Sequence, residues 1–353
     1  MIRISILWGK DGREISGFST SSHLASLETS RRATTTGRSD GKFCDVSDLT
    51  GAETGDPPPF LFSIDLEDVR TMIPDGLQYC DSVPRLVRMY MEFLYHHATK
   101  CTFFTVGDIV KRYPDLVREI ASEGHEIACH SSDHVPIPRQ TQSEFRDDIA
   151  RNIDALSTVS DGNPIRGFRA PTLSMTPETS WAYEVLVEAG IEYSSSVLPA
   201  SNPLFGWPGF SRETVRVEPG IWEIPISLTH LPLLDVPFAS GVYLRVLPLS
   251  LQRILYGRER RAGRPVVMYC HPFDLDTEQE YFCYPELTGH RFYNWLMYRG
   301  RAGVMRKLDS LLNAGGEIVP YSDYVSRLEP AKAVVPFGAP TARLPSEEEG
   351  QVD

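Results

Sequence analysis

The chain has 353 residues, of which 41% are hydrophobic and 23% are charged, a balance typical of a soluble protein with a large buried core. The formal net charge of −12 argues against nucleic acid and anionic membranes as partners, because both attract basic surfaces. We expect no transmembrane segment, since no stretch approaches roughly 20 consecutive apolar residues. We also expect no secretory signal, since the apolar start from Ile2 to Trp8 is short and contains Arg3.

The six cysteines form no CxxC pair and have no regular spacing, at positions 44, 80, 101, 129, 270 and 283. Cysteines without metal-binding or disulfide spacing are usually reduced and buried, and three of these lie in apolar, strand-like sequence. The pattern predicts a reducing, cytoplasmic location.

Both ends of the chain differ in composition from its middle. Residues 1–59 are rich in Ser, Thr, Gly and Arg, and residues 328–353 contain scattered prolines and an acidic run. Segments of this kind bury too little apolar surface to fold alone. We therefore expect a disordered N-terminal segment, a single domain over 60–327 and a flexible C-terminal tail.

Strand and helix patterns alternate between these ends. Short apolar runs predict strands, and apolar residues at helical spacing predict helices. The predicted strands cover 60–65, 102–106, 126–129, 165–168, 191–193, 222–226, 243–246, 266–270 and 317–319; the predicted helices cover 83–97, 114–123, 143–157, 176–190 and 303–313. Repeated strand-then-helix units favour a parallel sheet, and a unit of about 270 residues suits a barrel related to the TIM barrel better than an open sheet.

Polar residues follow several of the predicted strands. Asp65, His130, Arg169 and His271 each end or follow one. In barrels of parallel strands the chemistry lies at the carboxyl ends, so we expect these four side chains at one rim.

The sequence offers ligands for one divalent cation. His130 and His134 are four residues apart, so on a helix or a tight turn both imidazoles can face one ion. A carboxylate from the preceding acidic cluster would complete a set of three and leave a position for a reactive water. Asp68 is the preferred third ligand, because the chain can turn inwards after a strand that ends at Asp65. Glu67 is the alternative, because it shares a face with Asp65 if the strand continues.

Other residues have predicted catalytic roles. Asp65 can act as the general base that removes a proton from the attacking water. Arg169, in the run Gly-Phe-Arg-Ala-Pro, can keep Asp65 ionised and oriented, because a nearby cation favours a charged carboxylate. His271 follows a strongly apolar strand and can act as the general acid for a departing amine. Asp274 either orients His271 or caps the following turn.

Three residues are predicted to line the substrate site. Pro171 follows Arg169 closely, and Trp222 and Glu223 lie on a strand candidate. The sequence contains no GxGxxG motif, P-loop or nucleophile elbow.

The motifs, taken in their order along the chain, resemble those of the polysaccharide deacetylases, the NodB-homology group of carbohydrate esterase family four. The resemblance is closest to the bacterial subgroup associated with exopolysaccharide loci, whose first motif reads Asp-x-Glu-Asp/Glu. It covers roughly residues 60–327 and is carried by the runs 62–68, 102–107, 124–134, 168–171, 222–225 and 269–273.

The resemblance implies a distorted (β/α)7 barrel of the TIM-like type and a divalent metal, most often zinc, with Co²⁺, Ni²⁺ and Mn²⁺ as alternatives. It implies Asp65 as base, His130 and His134 as ligands, Arg169 as the tether of the base and His271 as acid. One departure is Ser194, at a position where the subgroup usually has an aspartate that would help to set specificity.

The function implied is removal of N-acetyl groups from a sugar or polysaccharide precursor. Two alternatives stay open: an amide hydrolase of a cyclic ureide or imide on the same scaffold, and a glycan-binding protein without turnover. The sequence does not predict which sugar is bound, nor the oligomeric state.

Overall fold

The computed structural model describes residues 58–202, 204–231, 234–284 and 291–328. The predicted segment 1–59, apart from its last two residues, lies outside the described residues, as does the predicted tail 328–353 apart from its first residue. Among the residues described, no helix has the length and apolar character needed to span a bilayer.

An eight-stranded sheet forms the centre of the fold. Its strands are β1 (Phe60–Leu66), β2 (Thr102–Thr105), β3 (Glu126–Cys129), β4 (Gly167–Phe168), β5 (Tyr193–Ser194), β6 (Val215–Val217), β7 (Ile221–Glu223) and β10 (Val266–Cys270), while β8 (Thr229–Leu231) and β9 (Leu234–Val236) pair separately. Seven strands are parallel, in the order β10-β1-β2-β3-β4-β5-β7, and β6 pairs antiparallel with β7 at one edge.

The sheet curls so that its two ends meet. The amide of Ser227, just after β7, donates to the carbonyl of Val267 in β10 at 3.3 Å, and the amide of Val267 donates to Oγ of Ser227 at 2.9 Å. These two hydrogen bonds close the barrel where regular strand pairing stops. The seven parallel strands confirm the expected distorted (β/α)7 architecture.

Helices surround the sheet and begin at recognisable caps. At the start of the longest one, Oγ1 of Thr141 accepts a hydrogen bond from the amide of Glu144, whose carboxylate accepts one from the amide of Thr141. The helices are α1 (Val83–His96), α2 (Gly107–Arg112), α3 (Pro114–Ser122), α4 (Gln142–Ser157), α5 (Ala182–Glu188), α6 (Gly241–Val246), α7 (Leu249–Arg261), α8 (Arg291–Met297), α9 (Val304–Leu312) and α10 (Tyr321–Arg327).

β1 shows how the strands divide the core. Phe60 and Phe62 face outwards, against aromatic side chains of α7 and α1, and both are fully buried. Loss of either ring would cost roughly 3–5 kcal/mol, because it would leave a large cavity. Leu61 belongs to the apolar cluster inside the barrel, and Ser63 and Asp65 share its face because side chains alternate along a strand. The inner face of β1 therefore becomes polar towards its carboxyl end.

Two predicted elements are wrong. Residues 243–246, predicted as a strand, belong to helix α6, because helical spacing lets Leu244 pack in the core while Arg245 reaches Asp274. Residues 317–319 contribute a single parallel bridge to Phe60 rather than a strand. Helices α2, α7, α8 and α10 were not predicted.

The cysteine prediction is partly confirmed. Cys101, Cys129 and Cys270 are free and buried, as expected, whereas Cys80 and Cys283 are free and exposed. Cys44 lies outside the described residues.

Candidate active site

A cleft of about 280 Å³ opens at the carboxyl ends of β1, β3 and β10. Its lining includes two carboxylates and three imidazoles, those of Asp65, Glu67, His130, His134 and His271. The cleft thus gathers strand ends that are distant in sequence, as expected for the rim of a parallel barrel.

Glu67 lies among three imidazoles. Its Oε2 is 2.7 Å from Nε2 of His134 and 4.0 Å from Nε2 of His130, and its Oε1 is 3.7 Å from Nε2 of His271. Ligand atoms of Glu67, His130 and His134 all lie within 4.8 Å of one another. Burial alone would raise the pKa of Glu67, but the neighbouring imidazoles, His134 first, lower it to about 2.

Asp68 does not join this group, which corrects the preference for it as the third ligand. Its carboxylate is held by Arg70, whose Nη2 lies 2.7 Å away, and by Arg112. Burial opposes its ionisation, but the hydrogen bonds from the two arginines lower the pKa of Asp68. β1 continues to Leu66, so the alternation of the strand carries Glu67 into the cleft and turns Asp68 away from it.

The segment from His130 to His134 is a loop rather than a helix. Ser131 and His134 have φ angles of 64° and 53°, in the left-handed region that residues other than glycine seldom adopt. Asp148 of α4 holds the loop, because its Oδ1 accepts hydrogen bonds from two consecutive loop amides, both at 3.1 Å. These contacts maintain a strained turn that directs both imidazoles into the cleft.

His130 presents a fixed nitrogen to the cleft. Its Nδ1 lies 2.8 Å from the carbonyl oxygen of Arg169, which can only accept, so Nδ1 carries the proton and Nε2 has the free lone pair. Burial lowers the pKa of His130 to about 4, so the ring is neutral near pH 7. Metal-binding histidines are commonly oriented by such a hydrogen bond from their other nitrogen.

These donors suit a divalent cation. One ionised carboxylate and two imidazoles form a ligand set that zinc accepts, and cobalt, nickel and manganese accept to differing degrees. Oε2 of Glu67 is buried and has no well-aligned hydrogen-bond donor in the part of the chain described. A positive charge placed there would satisfy that oxygen.

Asp65 is held by a buried arginine. Nη1 of Arg169 donates a hydrogen bond to Oδ1 of Asp65 at 2.6 Å. Arg169 is fully buried, and Asp65 is 3% exposed. Burial disfavours the charge on the guanidinium, but Asp65 outweighs this effect and raises the pKa of Arg169. The guanidinium therefore keeps its charge beside a carboxylate that lines the cleft.

Further contacts fix Arg169 in one orientation. It donates to Oγ of Ser63 at 2.7 Å, to the carbonyl and Oγ of Ser195, both at 2.9 Å, and to the hydroxyl of Tyr321 at 3.0 Å. Its Cζ lies 4.1 Å from the ring centroid of Phe104. Because the arginine cannot rotate, the carboxylate that it binds is also held in one direction.

His271 is linked to a second buried ion pair. Its Nδ1 lies 3.3 Å from Oδ2 of Asp274, and the same oxygen accepts its amide at 2.8 Å, so Asp274 both orients the ring and caps the turn. Nε of Arg245 lies 2.8 Å from Oδ1 of Asp274. A Cβ at Gly241 would lie 1.9 Å from Oδ2 of Asp274, so only glycine leaves room for this carboxylate. Burial opposes charge on His271, but Asp274 and then Glu67 raise its pKa to about 9.

The three residues predicted to line the substrate site lie elsewhere, which corrects that prediction. Glu223 is fully buried and accepts hydrogen bonds from two amides after β5, at 2.8 and 2.9 Å, and from the hydroxyl of Tyr183. It shapes the segment that holds Arg169. Trp222 packs against the apolar cluster inside the barrel, and Pro171 is buried. None of the three lines the cleft as described.

The walls of the cleft are largely apolar. Ser194, where the resembled subgroup has an aspartate, is buried and donates a hydrogen bond to Oγ of Ser196 instead of facing the cleft. The walls include Leu173, Leu198, Phe205, Tyr243, Tyr269 and Tyr284. Such a surface accepts the apolar faces of a ligand around a small polar centre.

The residues that support the polar groups of the cleft were not predicted from the sequence. Tyr321 and Arg169 are 152 positions apart, and no local pattern connects them. Asp148 is one acid among several on an amphipathic helix. The one available signal was Arg245, an isolated charge in the apolar run Gly-Val-Tyr-Leu-Arg-Val.

Family models match two adjacent parts of the chain. Residues 76–193 match the family described as Polysaccharide deacetylase, and residues 195–316 match one described as Domain of unknown function (DUF3473).

Two curated relatives and one solved structure are also similar. A Bacillus cereus peptidoglycan-N-acetylglucosamine deacetylase is 26% identical over 125 residues, covering 35% of this chain and 42% of the relative. A Bradyrhizobium chitooligosaccharide deacetylase is 31% identical over 141 residues, covering 40% and 62%. The chain thus spans less than two thirds of either relative. A Mycobacterium smegmatis structure assigned as a polysaccharide deacetylase superposes with a TM-score of 0.50 at 21% identity, covering 82% of this chain and 99% of the other, which supports the fold.

Proposed function

We propose that the chain, of which residues 76–193 match the polysaccharide deacetylase family, removes N-acetyl groups from a sugar or polysaccharide by hydrolysis that depends on a divalent cation. The observation that carries the proposal is the convergence of Glu67, His130 and His134 with Asp65 and His271 in one cleft. In this proposal Glu67, His130 and His134 hold the cation. When bound, the cation would polarise the amide carbonyl and make an attacking water more acidic.

Asp65 is the proposed general base. It lines the cleft and accepts a proton from the attacking water, while Arg169, 2.6 Å away, keeps the carboxylate oriented. Arg169 is a positioning residue, because it acts on the substrate only through Asp65. A positioned base typically contributes 10²–10⁴-fold to the rate.

His271 is the proposed general acid. With its pKa raised to about 9 it carries a proton at neutral pH, and Asp274 holds Nδ1 so that Nε2 faces the cleft. The amide nitrogen is a poor leaving group until it is protonated. His271 donates this proton as the C–N bond breaks, which gives acetate and the free amine of the sugar.

The test is acetate release from N-acetylated sugars by protein stripped of metal and then reloaded with Zn²⁺, Co²⁺, Ni²⁺ or Mn²⁺. We expect release to vanish on stripping and to return with at least one ion, and His130→Ala to stay inactive after reloading. Release at full rate from stripped protein or from His130→Ala would overturn the proposal.

The same assay separates the alternatives. Ring opening of a cyclic ureide or imide without acetate release from sugars would indicate the other amide hydrolase. Glycan binding without any turnover would indicate a binding protein. The cytoplasmic location and the oligomeric state are not tested by this experiment, and the former stays a prediction.

A further inference from the structure

Lys307 of α9 is a buried cation that does not line the cleft of the candidate active site. It is 7% exposed, and a buried charge is costly unless it is hydrogen-bonded. Its Nζ donates to three backbone carbonyls, those of Leu244 at 2.7 Å, Arg245 at 2.8 Å and Leu247 at 2.8 Å. Carbonyl oxygens only accept, so these bonds use all three protons of an ammonium group. The hydrogen-bonding capacity of Lys307 is therefore committed to the end of α6.

Helix α6 is held at both of its ends. At its start, Ser240 forms a parallel bridge with Tyr269 of β10, and the amide of Tyr269 donates to the carbonyl of Ala239 at 3.1 Å. At its end, the carbonyls of the last turn lack partners within the helix, and Lys307 supplies them. A helix of six residues is too short to be stable alone, so these contacts decide where α6 lies.

The position of α6 determines the surroundings of Asp274. Gly241, the first residue of the helix, leaves room for the carboxylate, because a Cβ there would lie 1.9 Å from Oδ2. Arg245, one turn later, places its Nε 2.8 Å from Oδ1 of the same carboxylate. Asp274 in turn contacts Nδ1 of His271 at 3.3 Å and accepts its amide at 2.8 Å. A continuous set of contacts thus joins α9, through α6, to the imidazole in the cleft.

We propose that Lys307 is a positioning residue for the general acid: by fixing the end of α6 it keeps Arg245 against Asp274, and so keeps His271 directed into the cleft. This inference rests on the proposed deacetylase function. Lys307 touches neither the substrate nor His271, and it acts through the helix alone. A displacement of about 1 Å at a catalytic group can cost up to about 100-fold in rate, so a support at this distance can still affect the reaction.

A different role for Lys307, as part of an anion site, fits the contacts less well. Lys307 also lines a cavity of about 490 Å³ together with three arginines, among them Arg301 and the exposed Arg306. Each proton on Nζ is already donated to a carbonyl, so an anion could bind there only by breaking a contact with α6. Arg301 is also engaged, since it donates to the carbonyl of Asp276 at 2.7 Å and to the hydroxyl of Tyr284 at 3.0 Å.

The experiment compares wild type, Lys307→Met and the control Arg306→Met, which removes the neighbouring exposed cation from the same helix. Methionine keeps an unbranched side chain but has no N–H donors. Rates are measured on the dimer of N-acetylglucosamine and on 4-nitrophenyl acetate, whose leaving group needs no proton, at a temperature where each protein is folded. We expect Lys307→Met to lose about tenfold in kcat/KM on the amide, through kcat, and less than about threefold on the ester. Arg306→Met should match wild type on both substrates.

The ratio of the two rates separates positioning from a general loss of structure. Equal losses on amide and ester in Lys307→Met would overturn the inference, as would an unchanged amide rate or an equal loss in Arg306→Met. Lys307→Gln, which retains two N–H donors, gives the same comparison at a smaller cost in stability if Lys307→Met does not fold. We expect the same selective loss on the amide, with a smaller factor.

A second readout keeps this inference distinct from the proposed function. Crystal structures of wild type and of the Lys307 variant show directly where α6 and the imidazole lie. We expect the contact between Arg245 and Asp274 to lengthen beyond hydrogen-bond distance in the variant, and the ring of His271 to turn. If wild type releases no acetate, the proposed function fails, and this comparison still decides whether Lys307 positions His271. Unchanged positions of Arg245, Asp274 and His271 in the variant would overturn the inference.

Discussion

The two halves of the barrel contribute to the candidate site by different means. In the first half, β1 and β3 bring Asp65, Glu67 and the two loop histidines to the rim directly, because Asp65 lies near the end of β1 and the other three follow the end of β1 or β3. The region after residue 195 supplies His271, whose charge depends on Asp274 and on Arg245 from a helix. In the proposed mechanism the first half would hold the cation and activate the water, and the second half would protonate the leaving group.

The largest expected effect concerns the cation. Glu67→Ala should lower kcat/KM for N-acetylated sugars by more than about 100-fold, because loss of a direct ligand exceeds the 10–100-fold typical of its outer partners. The matched control is Asp68→Ala, which removes the neighbouring carboxylate bound by Arg70 and Arg112. It should retain activity within about tenfold at a temperature where it is folded. Equal losses of kcat/KM in Glu67→Ala and Asp68→Ala would contradict the assignment of Glu67, rather than Asp68, as a ligand of the cation.

The division between water and leaving group can be tested with two substrates. Asp65→Asn should lower activity roughly 10²–10⁴-fold on both an N-acetyl sugar and 4-nitrophenyl acetate, because both need an activated water. His271→Ala should lose a similar factor on the amide but much less on the ester, whose leaving group departs without a proton. Acetate and nitrophenol release measure the two rates. Parallel losses for both variants on both substrates would contradict separate roles.

A smaller effect is expected on the pH profile. The required form of His271 is protonated, so kcat/KM should fall as pH rises through its pKa, which is raised to about 9. Asp274→Asn removes the main group that raises it, so the basic limb should move to lower pH by about one unit or more. The profile of kcat/KM from pH 6 to 10 measures this shift. A basic limb unchanged in Asp274→Asn would indicate that His271 is not the acid.

The smallest effect is on stability. Asp68→Asn should reduce the free energy of unfolding by about 1–3 kcal/mol at pH 7, because a buried carboxylate with two arginine partners is lost. The pKa of Asp68 is lowered by folding, so this stabilisation is present above the unfolded pKa near 3.9 and disappears as pH falls through the folded pKa. Thermal unfolding at pH 7 and at lower pH measures the difference, which should shrink in acid.

The first half was also the easier half to predict. Phe60–Leu66, Thr102–Thr105 and Glu126–Cys129 are short apolar strands with polar residues at their ends, so sequence alone indicated the rim. The sequence favoured Asp68 as the third ligand, whereas the structure places Glu67 beside the histidines. The difference arises because the strand is one residue longer than predicted and because Arg112, 44 positions away, binds Asp68. A contact over that distance leaves no local pattern in the sequence. From the sequence alone, either carboxylate is plausible beside two histidines.

The second half was harder because its supports are helical and distant. The run 241–246 has the composition of a strand, yet tertiary contacts of Arg245 and Leu244 favour a helix. Glu223 and Trp222 have the sequence pattern of a binding strand but serve packing and backbone support. Burial decides between these roles, and burial is a property of the assembled barrel rather than of the local sequence.

The most direct test of the account is calorimetric titration of metal-free protein with Zn²⁺. We expect wild type and Asp68→Ala to bind one ion per chain with similar affinity, and Glu67→Ala to bind it at least about 100-fold more weakly. Zinc binding that is lost in Asp68→Ala and retained in Glu67→Ala would contradict the cation site on which the proposed chemistry depends.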